Sequence, residues 1–75
     1  MEENVFVEYP NPPRDVFVDG ARWGKTGDII TVETGTHTFD LGMPQDYMPS
    51  AITKQVTGTT PLGPCVIHFD PKVGK

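Results

Sequence analysis

The chain has 75 residues, 36% of them hydrophobic, with eight Gly, eight Pro and one Cys. That is one small domain, spanning residues 1–75, and a chain of this size buries only roughly 60–65% of the surface its unfolded form exposes, which leaves little room for a deep catalytic cavity. Ten acidic against six basic residues set the net charge at -4 and the pI near 4.8, and without a Lys/Arg cluster such a chain is a poor electrostatic match for DNA, RNA or an anionic membrane surface.

Residues 4–9 alternate Val5, Val7 and Tyr9 on one face with Asn4, Phe6 and Glu8 on the other, the pattern of a half-buried strand. It stops at residues 10–13, where three prolines cannot donate to a ladder. Residues 15–19 predict the next strand, with Val16 and Val18 facing one way and Asp15, Phe17 and Asp19 the other. Asp19-Gly20 is the strongest turn dipeptide in the chain. Residues 21–27 read as a short connection held by Gly20, Gly24 and Gly27, followed by a strand over 28–32 that sets Ile30 and Val32 against Ile29 and Thr31. After a turn at Glu33-Thr34-Gly35, residues 36–42 place His37, Phe39 and Leu41 on one face.

Pro44 and Pro49 make residues 43–50 a loop, with Tyr47 and Met48 as lids over a core edge. Residues 51–57 predict a strand with Ile52 and Val56 inward. Lys54 shares their parity, so either a bulge intervenes or its stem snorkels at an edge. Residues 58–64 are a turn, 65–70 the last strand, and 71–75 a frayed tail. No helix signal and no internal repeat stand out. About six to seven short strands, each followed by a turn, predict an all-β fold, a small antiparallel β-sandwich.

The single Cys65 excludes an intrachain disulfide and says little about compartment. The N-terminus is acidic where a signal peptide is basic, and no stretch approaches the roughly 20 apolar residues of a membrane span. The expectation is a soluble domain, cytoplasmic if full-length and envelope-associated if excised from a larger protein.

Candidate chemistries fail on spacing or parity. Gly24-Lys25-Thr26 invites a phosphate-loop reading, but the first Gly of that motif falls on Asp19, and a strand rather than a helix follows. Cys65 and His68 have a ligand-like spacing, yet an odd offset on a strand sends them to opposite faces, with Cys65 on the core side. His37 is expected to cap the core edge through a backbone hydrogen bond. Burial in an apolar strand makes Cys65 a poor nucleophile with either histidine. Asp15, Asp19 and Asp28 lack the spaced oxygen ligands of a calcium loop. No catalytic residue, cofactor or metal is therefore expected.

Val16-Phe17-Val18-Asp19-Gly20, Gly24-Lys25-Thr26 and Gly35-Thr36-His37 follow one another in an order and spacing that resemble the PEGA domain, a small β-sandwich family. Asp46-Tyr47 stands near that family's Gly-Tyr turn, and the resemblance covers roughly residues 4–57. Two departures are Pro12-Pro13-Arg14-Asp15, where the family shows Pro-x-Gly-Ala, and Gly27, where a Pro usually follows Gly-Lys-Thr. The resemblance implies a non-catalytic module appended to envelope, surface or signalling proteins, with no shared catalytic residues.

Phe6, Phe17 and Ile29 fall on the parity opposite to the core valines and isoleucines of their strands, and Trp23 sits in a Gly-flanked loop with no evident burial. These four are the candidate partner-binding residues. The function expected is a structural or protein-interaction module whose rigid surface meets a protein partner or a neighbouring domain of a parent chain. Homo-oligomers through an edge strand or the apolar face are a variant of the same idea. The alternative is a carbohydrate-binding module in which Trp23, Tyr9 and Tyr47 stack on sugar rings.

Overall fold

A computed structural model describes residues 2–72. It is all-β. Seven strands of four or more residues run in chain order: β1 (Glu2–Glu8), β2 (Asp15–Val18), β3 (Ala21–Lys25), β4 (Ile29–Glu33), β5 (Gly35–Asp40), β7 (Ile52–Val56) and β8 (Cys65–His68). Two short ones, β6 (Tyr47–Met48) and β9 (Asp70–Pro71), pair with each other. One sheet has the order β4-β1-β8 and the other β3-β2-β5-β7. Their inner faces meet in a single core that includes Val5, Val7, Ile30 and Ile67 from the first and Val16, Val18, Phe39 and Val56 from the second. The alternation read from the sequence therefore becomes the two inner faces of a sandwich.

Asp19 and Gly20 both take positive φ, 52° and 86°, between the paired Val18 and Ala21. This two-residue hairpin matches the right-handed twist of its flanking strands. It also corrects one expectation: residues 21–25 are a strand, not a connection. The strand escapes the alternation rule because it carries a bulge. Gly24 lies opposite Val16 and Arg22 opposite Phe17, which leaves Trp23 as the extra residue.

Two further expectations change, and the alternatives for Lys54 resolve to an edge position. The pairing of β1 with β8 is parallel, so the sandwich is antiparallel everywhere except there. Lys54 needs no bulge, since β5 and β7 pair in continuous register from Gly35↔Val56 to Phe39↔Ile52; its exposed side chain sits on an edge strand. Residues 71–72 are tied down, Pro71 in β9 and Lys72 by its N–H to the Asp46 carbonyl, because the small β6–β9 pair holds them there. Residues 73–75 of the expected tail lie outside the described residues.

On one side of the sandwich the two sheets come close. A Cβ on Gly24 would stand 2.5 Å from Ile30 Cγ2. Gly24 thus lets β3 approach β4, and overpacking of this kind costs about 1–3 kcal/mol. Gly24→Ala is expected to lower the melting temperature by roughly 5–15 °C in a domain this small, measured by circular dichroism. The paired variant Gly24→Ala/Ile30→Leu, which has no second γ-carbon on Cβ, removes the methyl that the new Cβ meets and should recover some of the loss.

Candidate interaction surface

Outward on the three-stranded sheet, β1 presents Glu2, Asn4, Phe6 and Glu8, because Glu3, Val5 and Val7 are the buried parity. β4 presents Ile29, Thr31 and Glu33 around buried Ile30 and Val32. β8 presents Val66 and His68. Phe6 is paired with Ile29 on one side and with Val66 on the other. The three side chains therefore form one row across the sheet, about 10 Å between its ends at two interstrand spacings. Ile29 is 45% and Val66 49% exposed, and Phe6 is half-buried between them.

Trp23 joins this row from the other sheet. The bulge turns its indole across the gap, where Nε1–H donates to the Thr31 carbonyl of β4. The ring stays 52% exposed. It occupies the free edge of β4 two residues from Ile29, and covering a sheet edge in this way blocks pairing with another chain.

Phe17 does not belong to the same surface. It lies on the outward face of the four-stranded sheet, half-buried, with its ring so close to Gly42 that a Cβ there would approach Phe17 Cε1 to 2.6 Å. Of the four residues singled out from sequence, Phe6 and Ile29 are brought together with Trp23 beside them, and Phe17 is a sandwich thickness away. Val66 was missed, although the parity that selected Phe6 selects it too.

Phe17 instead forms one wall of a concavity of about 570 Å³, with Arg14, Tyr9, Pro12, Met43 and Pro44 around it. Arg14 is the hub. Its guanidinium bonds to Asp46, donates to the Pro44 carbonyl at 2.7 Å and the Leu41 carbonyl at 3.4 Å, and stacks on Tyr47 and Tyr9 with centroid distances of 4.9 and 5.9 Å. Three of its hydrogen bonds are made within the protein, which fixes the guanidinium as part of the wall of the concavity. Lys25 is held by Asp15 at 2.8 Å and Thr26 is buried, its Oγ1 accepting the Arg14 N–H at 3.0 Å. The Gly24-Lys25-Thr26 run is therefore the end of a strand and the turn into β4.

Tyr47 is buried rather than a lid or a sugar platform. Its hydroxyl accepts from the Leu41 N–H at 3.2 Å and donates to the Gly42 carbonyl at 2.9 Å, and its ring meets Phe69 edge-on at 5.5 Å. Trp23, Tyr9 and Tyr47 form no common stacking plane, since the last is inside the core.

Each described histidine stands between two acceptors. His37 Nδ1 meets Asp19 Oδ2 and Nε2 meets the Glu33 carbonyl, both at 2.6 Å, which adds a carboxylate to the backbone contact expected for it. His68 meets Glu8 at 3.1 Å and Asp70 at 2.7 Å. The Asp19 hydrogen bond, with the Glu33 carbonyl next, raises the His37 pKa against some loss of solvent; the Asp70 and Glu8 hydrogen bonds raise that of His68. Cys65 is half-buried at the core margin, on the opposite side of β8 from His68, as strand parity requires.

Glu3 was not singled out from sequence. It points inward on the core parity of β1 and is 5% exposed. Its carboxylate accepts from Thr34 Oγ1–H at 2.6 Å, Thr59 Oγ1–H at 2.6 Å and Thr59 N–H at 2.9 Å. Those bonds, the Thr34 hydroxyl first, lower its pKa to about 2. Glu3 thereby ties β1 to the β4–β5 turn and to the loop before β8. Among the described residues, no group of three or more His, Cys, Asp or Glu comes together to hold a metal ion.

No family model matches the chain, and neither any curated protein nor any solved structure does.

Proposed function

We propose that this domain is a non-catalytic interaction module that offers the outward face of its three-stranded sheet to a protein partner, either a separate protein or another domain of a parent chain. The observation that carries the reading is the row Ile29–Phe6–Val66, three apolar side chains paired across adjacent strands, the outer two exposed and Phe6 half-buried between them, with Trp23 alongside. Apolar and aromatic side chains gathered on a rigid sheet are the usual core of a docking patch. The Gly24–Ile30 approach and the Trp23–Thr31 bond support rigidity, since they fix the edge of that face to the second sheet. The PEGA resemblance points to the same class of module. Burial of Tyr47 removes one of the three aromatics on which a sugar-binding reading rested.

A neutral solvatochromic dye such as Nile red tests the patch without repulsion from the surrounding carboxylates. The wild-type domain is expected to enhance its fluorescence. The variant Phe6→Ser/Ile29→Ser/Val66→Ser should lose most of that signal while its melting temperature stays within several degrees. A wild-type domain that is dye-silent and monomeric by sedimentation would refute the reading.

A further inference from the structure

The two sheets differ in charge. β1, β4 and β8 carry Glu2, Glu3, Glu8 and Glu33 and no Lys or Arg. The strands of the other sheet carry Asp15, Asp40, Arg22, Lys25 and Lys54. There Asp15 is bridged by both Arg22, at 3.3 Å, and Lys25, at 2.8 Å. Glu3 points inward, so the outward face that holds the apolar row takes its negative charge from Glu2 and Glu33 at one end and from Glu8 and Asp70, which His68 offsets in part, at the other. Glu2 stands directly opposite Glu33 at one end. Glu8 and Asp70 flank His68 at the other. Along β1 the two acidic ends are about 20 Å apart at roughly 3.4 Å per residue, with Phe6 between them.

Resting on the interaction-surface reading above, we infer that this face docks a cationic protein segment, one with Lys or Arg at both ends and two or three apolar side chains between, spanning about 20 Å. Charge complementarity selects that occupant. Two copies of this face would bring carboxylate against carboxylate, so a second copy of the chain is disfavoured. An anionic membrane surface and a nucleic acid are repelled for the same reason. A cationic segment meets both acidic ends while its middle covers Ile29, Phe6 and Val66.

The probe is the blocked peptide Lys-Lys-Leu-Phe-Leu-Lys-Lys, titrated into the whole chain and followed by amide chemical shifts. Two control peptides replace every Lys by Gln or by Glu. Shifts are expected on β1, β4 and β8, and affinity should fall at least tenfold from 50 to 500 mM NaCl. Ile29→Lys/Val66→Lys should weaken binding at least tenfold, whereas Thr36→Lys on the outward face of the other sheet should not. Equal binding of the Gln peptide to this face overturns the charge inference and leaves the apolar-surface reading intact, and the dye measurement decides that reading on its own. Equal binding of the Glu peptide, shifts centred on the Arg14 concavity, or no shifts with any peptide also overturn the inference.

Discussion

Arg14→Ala is expected to lower the melting temperature by roughly 10–25 °C, corresponding to about 2–4 kcal/mol at about 4–8 °C per kcal/mol. Arg14 lies between the end of β1 and the start of β2, yet its guanidinium reaches the loop before β6. Its side chain is 15% exposed. Hydrogen bonds to a charged group contribute about 1.5–3 kcal/mol, and a cation over an aromatic ring adds about 0.5–2 kcal/mol. The alanine variant loses both and leaves the Pro44 carbonyl with the Asp46 N–H alone, while the end of the sandwich closed by Tyr47 and Phe69 loses its outer layer. Arg14→Lys should recover only a minority of the loss, because an ammonium cannot reproduce a planar fork that bonds and stacks at once. Asp46→Asn separates the contributions. Asp46 is 64% exposed, so its pair with Arg14 is screened and its removal should cost no more than about 1 kcal/mol. Thermal unfolding by circular dichroism checks all three, and a shift under about 3 °C for Arg14→Ala would show that the tyrosines and carbonyls repack without it.

What could be read from the sequence follows from which interactions are local. Val5/Val7, Val16/Val18 and Ile30/Val32 each declare an inner face by period two, and the same parity turns Phe6 and Ile29 outward. That argument needs no knowledge of neighbours. It fails at β3, where the bulge at Trp23 breaks the period, and at β6 and β9, which are too short to show one. It is silent on which strands adjoin, so the parallel pairing of β1 with β8, joining Val5 to Cys65 in register, has no local signal. The contiguity of the candidate surface depends on that pairing, because only it sets Val66 beside Phe6. Glu3 shows the same limit. Its parity marks it as buried, but a carboxylate is tolerated there because Thr34 and, far along the chain, Thr59 together supply three donors. The presence of a tryptophan in the glycine-flanked stretch is accounted for by geometry: a bulge aims it, and its indole N–H reaches the carbonyl of the opposing sheet's edge strand.

Stability is expected to peak between about pH 4.5 and 6.5 and to fall on both sides for different reasons. On the acid side, the Glu3 pKa is about 2 in the fold against 4.5 for the free group. Its contribution is complete above 4.5 and is lost as pH falls towards 2, because over that window the unfolded chain takes up a proton that the fold does not. Asp19 and Asp15, lowered chiefly by their hydrogen bonds to His37 and Lys25, add to the same limb. On the alkaline side, the His37 and His68 pKa values are raised above 6.5. Their contribution is complete below 6.5 and is lost as pH rises through the raised values. Each ring nitrogen faces an acceptor, so the neutral ring leaves one contact without a proton. His37 should dominate, since its side chain is 16% exposed against 52% for His68 and is less screened. Melting temperatures measured from pH 2 to 9 should therefore show a plateau that Glu3→Gln flattens at the acid end and His37→Gln at the alkaline end, by several degrees in each case. His68→Gln should change the alkaline limb least. An alkaline limb that persists unchanged in His37→Gln would mean that the Asp19–His37–Glu33 bridge does not hold the β2–β3 and β4–β5 turns together in solution.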